Sequence, residues 1–562
     1  MYTNWISQIG DLNPQLLREI KGRLQKRNVL LVITTSFLTQ LGVFLYFQSL
    51  LPNSHSIVYV NSNRYCTGKY LDIAQECFLD GFGNVVINWQ LWFQDIFSSL
   101  SIIGFLAILV AGSYLIIHDL STEERRDTLN FIRLSPQSPQ SILLGKMLGV
   151  PILIYLGVLL AIPVHLWLGL NAQITWRSIF SFYIIVITTS LFYFSGALLF
   201  GLVGSWLGGF QSWLGSGAVL GLLLLTQQGL RDEISYNYPF AVLKLIDPYY
   251  FIPNSLYNSS TELQLENFHW FALPLGNSWV TIIGFAVLTH LLGAYFIWQS
   301  LQRCFGDRNA TMLSKQQSYL LTIAFTIITI GCADWPKLVF SDYNSNSALT
   351  ENMAYLMFLN LFLFLYLIAA LTPHRHTLQD WARYRHFGNQ QGEQRNLIQD
   401  LIWGEKSPGV VAIALNAIIA ISGLSLFVLI SSSGLDHKFH SFIALIFAGS
   451  LAVIYAALTQ LLLLMKNGQR LFWTNGILGA VIILPVVALA ILFSNPTNYT
   501  FWWLLSVAAP LIALYPSGEL SAITTFLAIM GHMGILGLML FRMTRQLKQV
   551  GESATRVLLA GS

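Results

Sequence analysis

The chain has 562 residues, of which 54% are hydrophobic, 14% aromatic and only 10% charged, with a mean hydropathy of +0.59. Soluble domains carry about 25% charged residues, so this composition excludes a soluble enzyme and marks an all-α polytopic membrane protein with no nucleic-acid partner. The net charge of +4 decides little, because in such a chain it is the position of charge that sets topology.

Residues 1–27 are polar with scattered apolar side chains and show no cleavable signal peptide, so the first span is expected to act as the membrane signal. Within them Leu16, Ile20 and Leu24 form a stripe spaced by four, with Leu17 beside it and basic residues on the other faces. Asn13 is an expected N-cap, with Pro14 at the first helical position. The pattern predicts a cytoplasmic helix in the membrane interface, held by its stripe and by anionic lipid. A generic basic anchor accounts for it equally well.

The first span is expected over about Asn28 to Leu51 and the second over Trp89 to Ile117. The polar loop between them holds Cys66 and Cys77, two of four cysteines. Sharing one external loop, they are expected to form a disulfide, with two free thiols as the alternative. Cys304 and Cys332 fall on opposite sides in this topology and should not pair. A third span is expected over Ile142 to Leu170.

Between the second and third spans lies the polar stretch 118–146, HDLSTEERRDTLNFIRLSPQSPQSILLGK. Its Arg125, Arg126 and Arg133 place it in the cytoplasm, and Leu129 with Ile132 shares one face of a short amphipathic helix. Ser135, Pro136, Ser138 and Pro139 then stop that helix and start another. With Glu124, Thr128, Leu129, Phe131, Ile132, Ser135, Pro136, Ser138, Gly145 and Lys146, the stretch resembles the cytoplasmic coupling region of type-2 ABC transporter permeases. That family's pattern has Gly where this chain has Asp127, so the local turn is expected to differ. The resemblance implies that Glu124, Arg126, Thr128, Leu129, Ile132, Ser135, Pro136 and Ser138 dock on a separate ATPase subunit and pass its movement to the spans. A solvated loop is the plainer reading. In many permeases of this type a helix like the one after Asn13 precedes the first span.

Further spans are expected over about Ser178 to Gly204, Phe210 to Leu230 and Trp279 to Leu301. The stretch Arg231 to Asn277, rich in Tyr, Phe, Pro and Asn, has apolar pieces too short to cross and reads as re-entrant or interfacial helices. The second half repeats the plan with runs at about Tyr319 to Cys332, Met353 to Leu371, Val410 to Ser431, Phe442 to Met465, Ile477 to Phe493 and Leu520 to Phe541. Phe501 to Tyr515, short and holding Pro510, precedes its last span. The expected layout is therefore about 12 transmembrane helices in two six-helix repeats, 28–316 and 317–562, each with a hairpin before its last span. The parallel form of the repeat follows from this order. At one constant offset Glu124, Arg126, Ser138 and Pro139 match Glu393, Arg395, Ser407 and Pro408, which marks a second coupling segment within the linker 373–408. At another, Gln302, Ala310 and Thr311 match Gln546, Ala554 and Thr555.

With both termini inside a bacterial inner (plasma) membrane, 23 of the 30 Lys and Arg residues fall on the cytoplasmic side, including the basic C-terminal tail. The outer seven are Arg64, Lys69, Arg177, Arg231, Lys244, Lys337 and Lys438. This follows the positive-inside rule.

The chain shows no nucleotide site of its own. Gly404-Glu405-Lys406-Ser407 fails as a phosphate loop, because Asp400 and Glu405 stand where glycines are required. No HExxH or paired CxxC motif supports a metal, and His374-Arg375-His376 reads as a solvated basic turn. Asp95, His165, His290, Asn360, Asn416, Gln460 and His532 are the polar residues of the spans, expected as interhelical hydrogen-bonding groups. The expectation is a permease subunit of an ABC exporter, not itself an enzyme. Its cofactors, ATP and magnesium, belong to a partner ATPase, two copies of which join one chain. Homodimerisation is expected instead if the repeat is not real. An ATP-independent secondary transporter and an integral membrane enzyme acting on lipid-linked substrates are the alternatives. The scarcity of intramembrane Asp and Glu opposes the first, and the second would require clustered catalytic Asp, Glu or His at one interface, which the sequence does not assemble.

Overall fold

The computed structural model describes residues 10–52, 62–68, 70–71, 74–82, 84–229, 238–255, 265, 267–307, 309–340, 345–390, 397–492, 500–515 and 521–560. It is built almost wholly of helices, and ten of them, among the described residues, are long and apolar enough to cross a membrane. The chain divides into two compact units. The first comprises Met1–Tyr236, Leu243–Phe268 and Pro274–Trp298; the second comprises Asn237–Val242, His269–Leu273 and Gln299–Ser562.

In the first unit, α1 (Pro14–Arg23) starts on Asn13, whose side chain accepts from Leu16 N. Helix α2 (Lys26–Ser49) buries none of its side chains. The following loop carries a three-stranded antiparallel sheet in the order β1–β3–β2, from β1 (Ser62–Asn63), β2 (Tyr70–Leu71) and β3 (Ala74–Glu76). A disulfide joins Cys66 to Cys77, while Cys304 and Cys332 are free thiols.

The next run covers 37 residues, Trp89–Arg125. It consists of α3 (Trp89–Leu106), a π turn over Ala107–Ala111, and α4 (Gly112–Arg125). The helix thus continues two turns past the expected end at Ile117. The reason is packing: Leu120 is fully buried, and a side chain at Gly201 opposite would come within 2.8 Å of it. After the short α5 (Thr128–Arg133), the expected third span proves to be two helices, α6 (Pro139–Gly149) and α7 (Ile152–Asn171). Pro151 lies between them; it has no N–H to give the helical ladder and its ring crowds the preceding turn. Only α7 meets the length and composition of a span.

The run Trp176–Gln228 has 53 residues. As a straight rod it would measure about 80 Å, against a hydrocarbon core of about 30 Å. It is broken between α8 (Trp176–Val203) and α9 (Gln211–Leu224) by a tight stretch, Gly204–Phe210, in which Gly208 has φ 59° and ψ −133°. Only glycine takes that conformation without steric cost. The chain turns so that Gln211 Nε2 donates back to Phe200 O at 2.6 Å and Gly201 O at 3.0 Å. Phe200 O also accepts from Gly204 N–H, so Gln211 adds a second donor there and reaches Gly201 O in the last turn of α8. Both α8 and α9 pack on α4, with Phe194 over Gly112 and Ile117 over Gly215. Short pieces follow, α10 (Ala241–Leu245) and 3-10 turns at Pro248–Phe251 and Leu275–Asn277, before α11 (Trp279–Gly306).

The second unit begins with α12 (Lys315–Gly331), capped by a reciprocal pair between Ser314 and Gln317. Then come α13 (Trp335–Phe340), α14 (Ser345–Leu371), α15 (Arg375–Gln390), α16 (Leu397–Trp403), α17 (Val410–Ile430), α18 (Leu435–Leu463) and α19 (Arg470–Leu492). Helix α18 packs on α14 and α17 and has Phe447, Ala444 and Ala457 fully buried. Phe501 to Tyr515 forms two short helices, α20 (Thr500–Leu504) and α21 (Ala509–Leu514), which are too short to cross. The last helix, α22 (Ala522–Ala560), does not end at Phe541; it carries Arg542, Arg545 and Lys548 on the same continuous backbone.

The polar residues of the long helices are largely paired within their units. Asn416 accepts from Thr322 at 2.7 Å and donates to Ser318 at 3.0 Å. His532 meets Ser450 at 2.7 Å, and His290 lies 3.3 Å from both Thr188 and Thr189. Asp95 accepts from Arg64 and Tyr65. Each ties two segments together, as an interhelical hydrogen bond does.

Candidate functional site

The stretch singled out by its polarity becomes a rigid platform beneath a short exposed helix. It starts with α1. The side chains that α1 buries are Gln15 and Glu19, while its apolar stripe is only partly covered and Leu24 is exposed. The stripe of Leu16, Ile20 and Leu24, expected to face lipid, is thus not buried by protein, and it is Gln15 and Glu19 that pack inward. The cause lies in α6, where Gly145 and Gly149, one turn apart, let the two backbones come close. A Cβ at Gly145 would stand 2.9 Å from Leu16 N, and one at Gly149 would stand 2.6 Å from Glu19 Cβ. Small residues four apart allow this approach in helix pairs generally. Asn13 fastens the contact by donating from Nδ2 to Ser141 O at 2.7 Å while its Oδ1 caps α1.

Between the two glycines, Lys146 points into the interior and is fully buried. Its Nζ lies 2.6 Å from Asp119 Oδ2, 2.7 Å from Glu123 Oε2 and 3.8 Å from Glu19 Oε1. Asp119 and Glu123 are one turn apart on α4, so both carboxylates reach the same ammonium. Arg23 pairs with Asp119 at 2.7 Å and with Glu19 at 3.3 Å, and Arg18 pairs with Glu123 at 3.1 Å. Three acids thus face three bases. Burial acts to lower the Lys146 pKa, but Asp119, Glu123 and Glu19 together raise it above the ordinary lysine value. The three carboxylates have oxygens within 4.8 Å of one another, a spacing that suits a cation. The Lys146 ammonium is that cation, and nothing in the cluster calls for a metal.

From the platform α4 runs to Arg125, and the chain then turns at Asp127, where φ is 55° and ψ 9°. This is the left-handed region, for which an L side chain costs roughly 1–2 kcal/mol. Asp127 holds this conformation without being glycine, and Asp is among the few residues that tolerate it. Its Oδ1 accepts from Asn130 Nδ2 at 3.3 Å. Thr128 then donates to Glu123 O at 3.2 Å, tying α5 to the last turn of α4.

Helix α5 divides its apolar residues sharply. Leu129 and Ile132 are buried, whereas Phe131 is 79% exposed and Leu134 85% exposed. Among the residues named from the family pattern, Arg126, Thr128, Pro136 and Ser138 are exposed, and Glu124 and Ser135 are half-buried. Ser138 caps α6 by accepting from Ser141 N at 3.2 Å, with Pro139 behind it.

The matching segment of the second unit is built differently. Glu393 and Arg395 lie outside the described residues. Ser407 is fully buried and does not cap an exposed helix; it accepts from Lys315 Nζ at 2.7 Å. Lys315 also donates to Leu401 O at 2.6 Å and to Pro408 O at 3.4 Å. Arg303 makes a two-pronged pair with Glu405 at 3.0 and 2.8 Å, and Arg385 pairs with Asp400 at 3.1 Å. Ile398 and Trp403 of α16 are exposed apolar side chains.

Sequence reasoning left out the partners of Lys146 and the exposure of Phe131 and Leu134. One signal was present: Asp119 and Glu123 share a helical face next to an apolar run that contains a single lysine. In comparisons with known proteins, no family model matches the chain, and neither a curated protein nor a solved structure matches it.

Proposed function

We propose that this chain is the membrane-spanning permease of an ABC exporter, driven by ATP hydrolysed on a separate ATPase subunit that holds the nucleotide and magnesium. The observation that carries this reading is at α5: two large apolar side chains, Phe131 in the six-residue helix and Leu134 at its C-cap, are exposed while Leu129 and Ile132 are buried. Exposed apolar groups on a fixed support are what a partner's groove requires. The platform supplies the other requirement. Lys146 joins α1, α4 and α6 through ion pairs, so a push on α5 reaches α4, and α4 continues unbroken into the run from Trp89. The residues Glu124, Arg126, Thr128, Ser135 and Ser138 frame the contact.

In this reading the run Trp176–Gln228 counts as two spans and α12 as one, which gives twelve in two six-helix halves. Both termini and the segment 118–146 lie in the cytoplasm of a bacterial inner membrane. The differing designs around Ser138 and Ser407 favour strong coupling through the first linker. One chain with two ATPase copies forms the working complex, and its cargo is exported.

The test is affinity purification of the tagged chain from its native membrane in mild detergent, followed by mass measurement of the intact complex. One chain with two ATPase subunits is expected. Two chains with two ATPases would keep the transporter and remove the fused repeat. Recovery without any ATPase in two detergents would overturn the proposal.

A further inference from the structure

The first unit contains a half-open cavity of about 360 Å³ between α2, α3, α7 and α8, within the range of roughly 300–1,000 Å³ typical of small-molecule sites. No Asp, Glu, Lys or Arg lines it. A charged ligand would therefore lie against hydrocarbon without a counter-ion, which is costly. The π turn at Ala107–Ala111 borders it through Ala107 and Ile108, and such turns recur at functional sites.

The hydrogen-bond character of the wall is more specific. Ser36 donates to Gly157 O at 2.8 Å, Thr35 to Leu31 O at 2.8 Å and Thr39 to Thr35 O at 2.8 Å. Because Ser36 has given its proton away, it accepts from Gln40 Nε2 at 3.0 Å, which fixes the orientation of that amide. On the far wall Ser101 donates to Phe97 O at 2.8 Å. It therefore accepts from His165 Nε2 at 2.7 Å. In neutral imidazole this leaves Nδ1 to accept from the Tyr183 hydroxyl at 2.8 Å. Every hydroxyl proton on the wall is thus spent inside the protein. What remains is the carbonyl of Gln40 with one N–H of its amide, and lone pairs on the hydroxyl oxygens of Thr35, Ser36, Thr39, Ser101 and Tyr183, so that Gln40 alone of these side chains offers both a donor and an acceptor. An amide carbonyl beside its own N–H is the complement of an alcohol, which donates to one and accepts from the other.

We propose that this cavity binds a neutral membrane lipid carrying a free hydroxyl, of the diacylglycerol type, with the hydroxyl on Gln40 and a chain in the apolar remainder. The inference stands apart from the transport reading and from any ATPase. It is tested on the full-length chain in vesicles with a photoreactive diacylglycerol, beside the same probe acylated at its hydroxyl and the same probe phosphorylated there. Cross-links are mapped by mass spectrometry. Diacylglycerol should label α2 and α3 at least tenfold more than either derivative. Gly104 lines the cavity, and a Cβ there meets nothing within 4 Å, so Gly104→Leu fills the space without a backbone clash and should cut labelling at least tenfold. Gln40→Met keeps the bulk of the side chain and should abolish the preference for the free hydroxyl while leaving labelling by the acylated probe in place. Equal labelling by the three probes, or undiminished labelling of a monodisperse Gly104→Leu protein, would overturn the proposal.

Discussion

Asp119 and Lys146 meet at 2.6 Å across 27 residues of chain, and theirs is the shortest of the contacts that hold α4 to α6. Removing the ammonium leaves three carboxylates facing one another in a largely buried site. Breaking a buried pair from one side costs about 3–5 kcal/mol. Lys146→Met should therefore lower the melting temperature of the detergent-solubilised protein markedly, with membrane insertion unchanged. Adding Asp119→Asn and Glu123→Gln should restore part of the loss. A melting curve for the single variant that matches the parent would show that the cluster contributes no stability.

The two faces of α5 should separate stability from partner binding. Leu129→Ala and Ile132→Ala each open a buried site and should destabilise the chain by about 2–5 kcal/mol. Phe131→Ala and Leu134→Ala remove exposed groups and should shift stability by no more than about 0.5 kcal/mol. On the proposed ABC reading, the second pair should nevertheless reduce recovery of the ATPase subunit in pull-down at least tenfold. Unchanged recovery would remove α5 from the coupling contact.

Asp247 introduces a pH dependence. It lies outside the candidate spans, and burial raises its pKa to about 6 despite bonds from Thr226, Gln227 and Tyr249 N. Thr226 also donates to Leu223 O at 2.8 Å, so its proton is contested and a protonated Asp247 can donate in return. A carboxyl whose folded pKa exceeds its unfolded value near 3.8 binds its proton more tightly in the native state. Its stabilising share is complete below about pH 4 and is lost as pH rises through about 6. Between pH 4 and pH 7.5 the loss amounts to about 2–3 kcal/mol. Asp247→Asn should flatten that part of the stability profile, measured by thermal unfolding at a series of pH values. A variant as pH-dependent as the parent would assign the effect elsewhere.

The Cys66–Cys77 bridge closes a short loop, for which the chain-entropy account gives about 3 kcal/mol. Alkylation of the unreduced, folded protein should label neither sulfur, and both should react after reduction. Replacing both residues with serine should expose the segment around β3 to protease before the helices unfold. Full alkylation without reduction would contradict the bridge.

How far the chain could be read in advance depended on the range of the interaction. Runs of apolar residues located the long helices, and local chemistry located the cap at Asn13 and the helix boundary at Ser135 to Pro139, because such signals involve neighbours a few residues apart. One local signal misled: Pro151 is ordinary in a membrane helix, yet here it ends one helix and starts another. The break between the runs ending at Gly204 and starting at Phe210 was legible, while the positive φ of Gly208 within it shows only in the folded backbone. The charge cluster was beyond reach for another reason. Lys146 finds Glu19 across 127 residues, and no spacing rule connects residues that far apart. The apolar stripe of α1 drew attention away from Glu19, whose burial depends on two glycines of a different helix.

Helix α2 has 24 residues and not one buried side chain. Its tilt and depth are therefore governed less by protein packing than by the thickness and lateral pressure of the bilayer around it. Since α2 is one wall of the cavity that Gln40 lines, a thinner or more tightly packed membrane would reshape that cavity directly. The lipid environment would then act as a tuning parameter of this protein as well as its solvent.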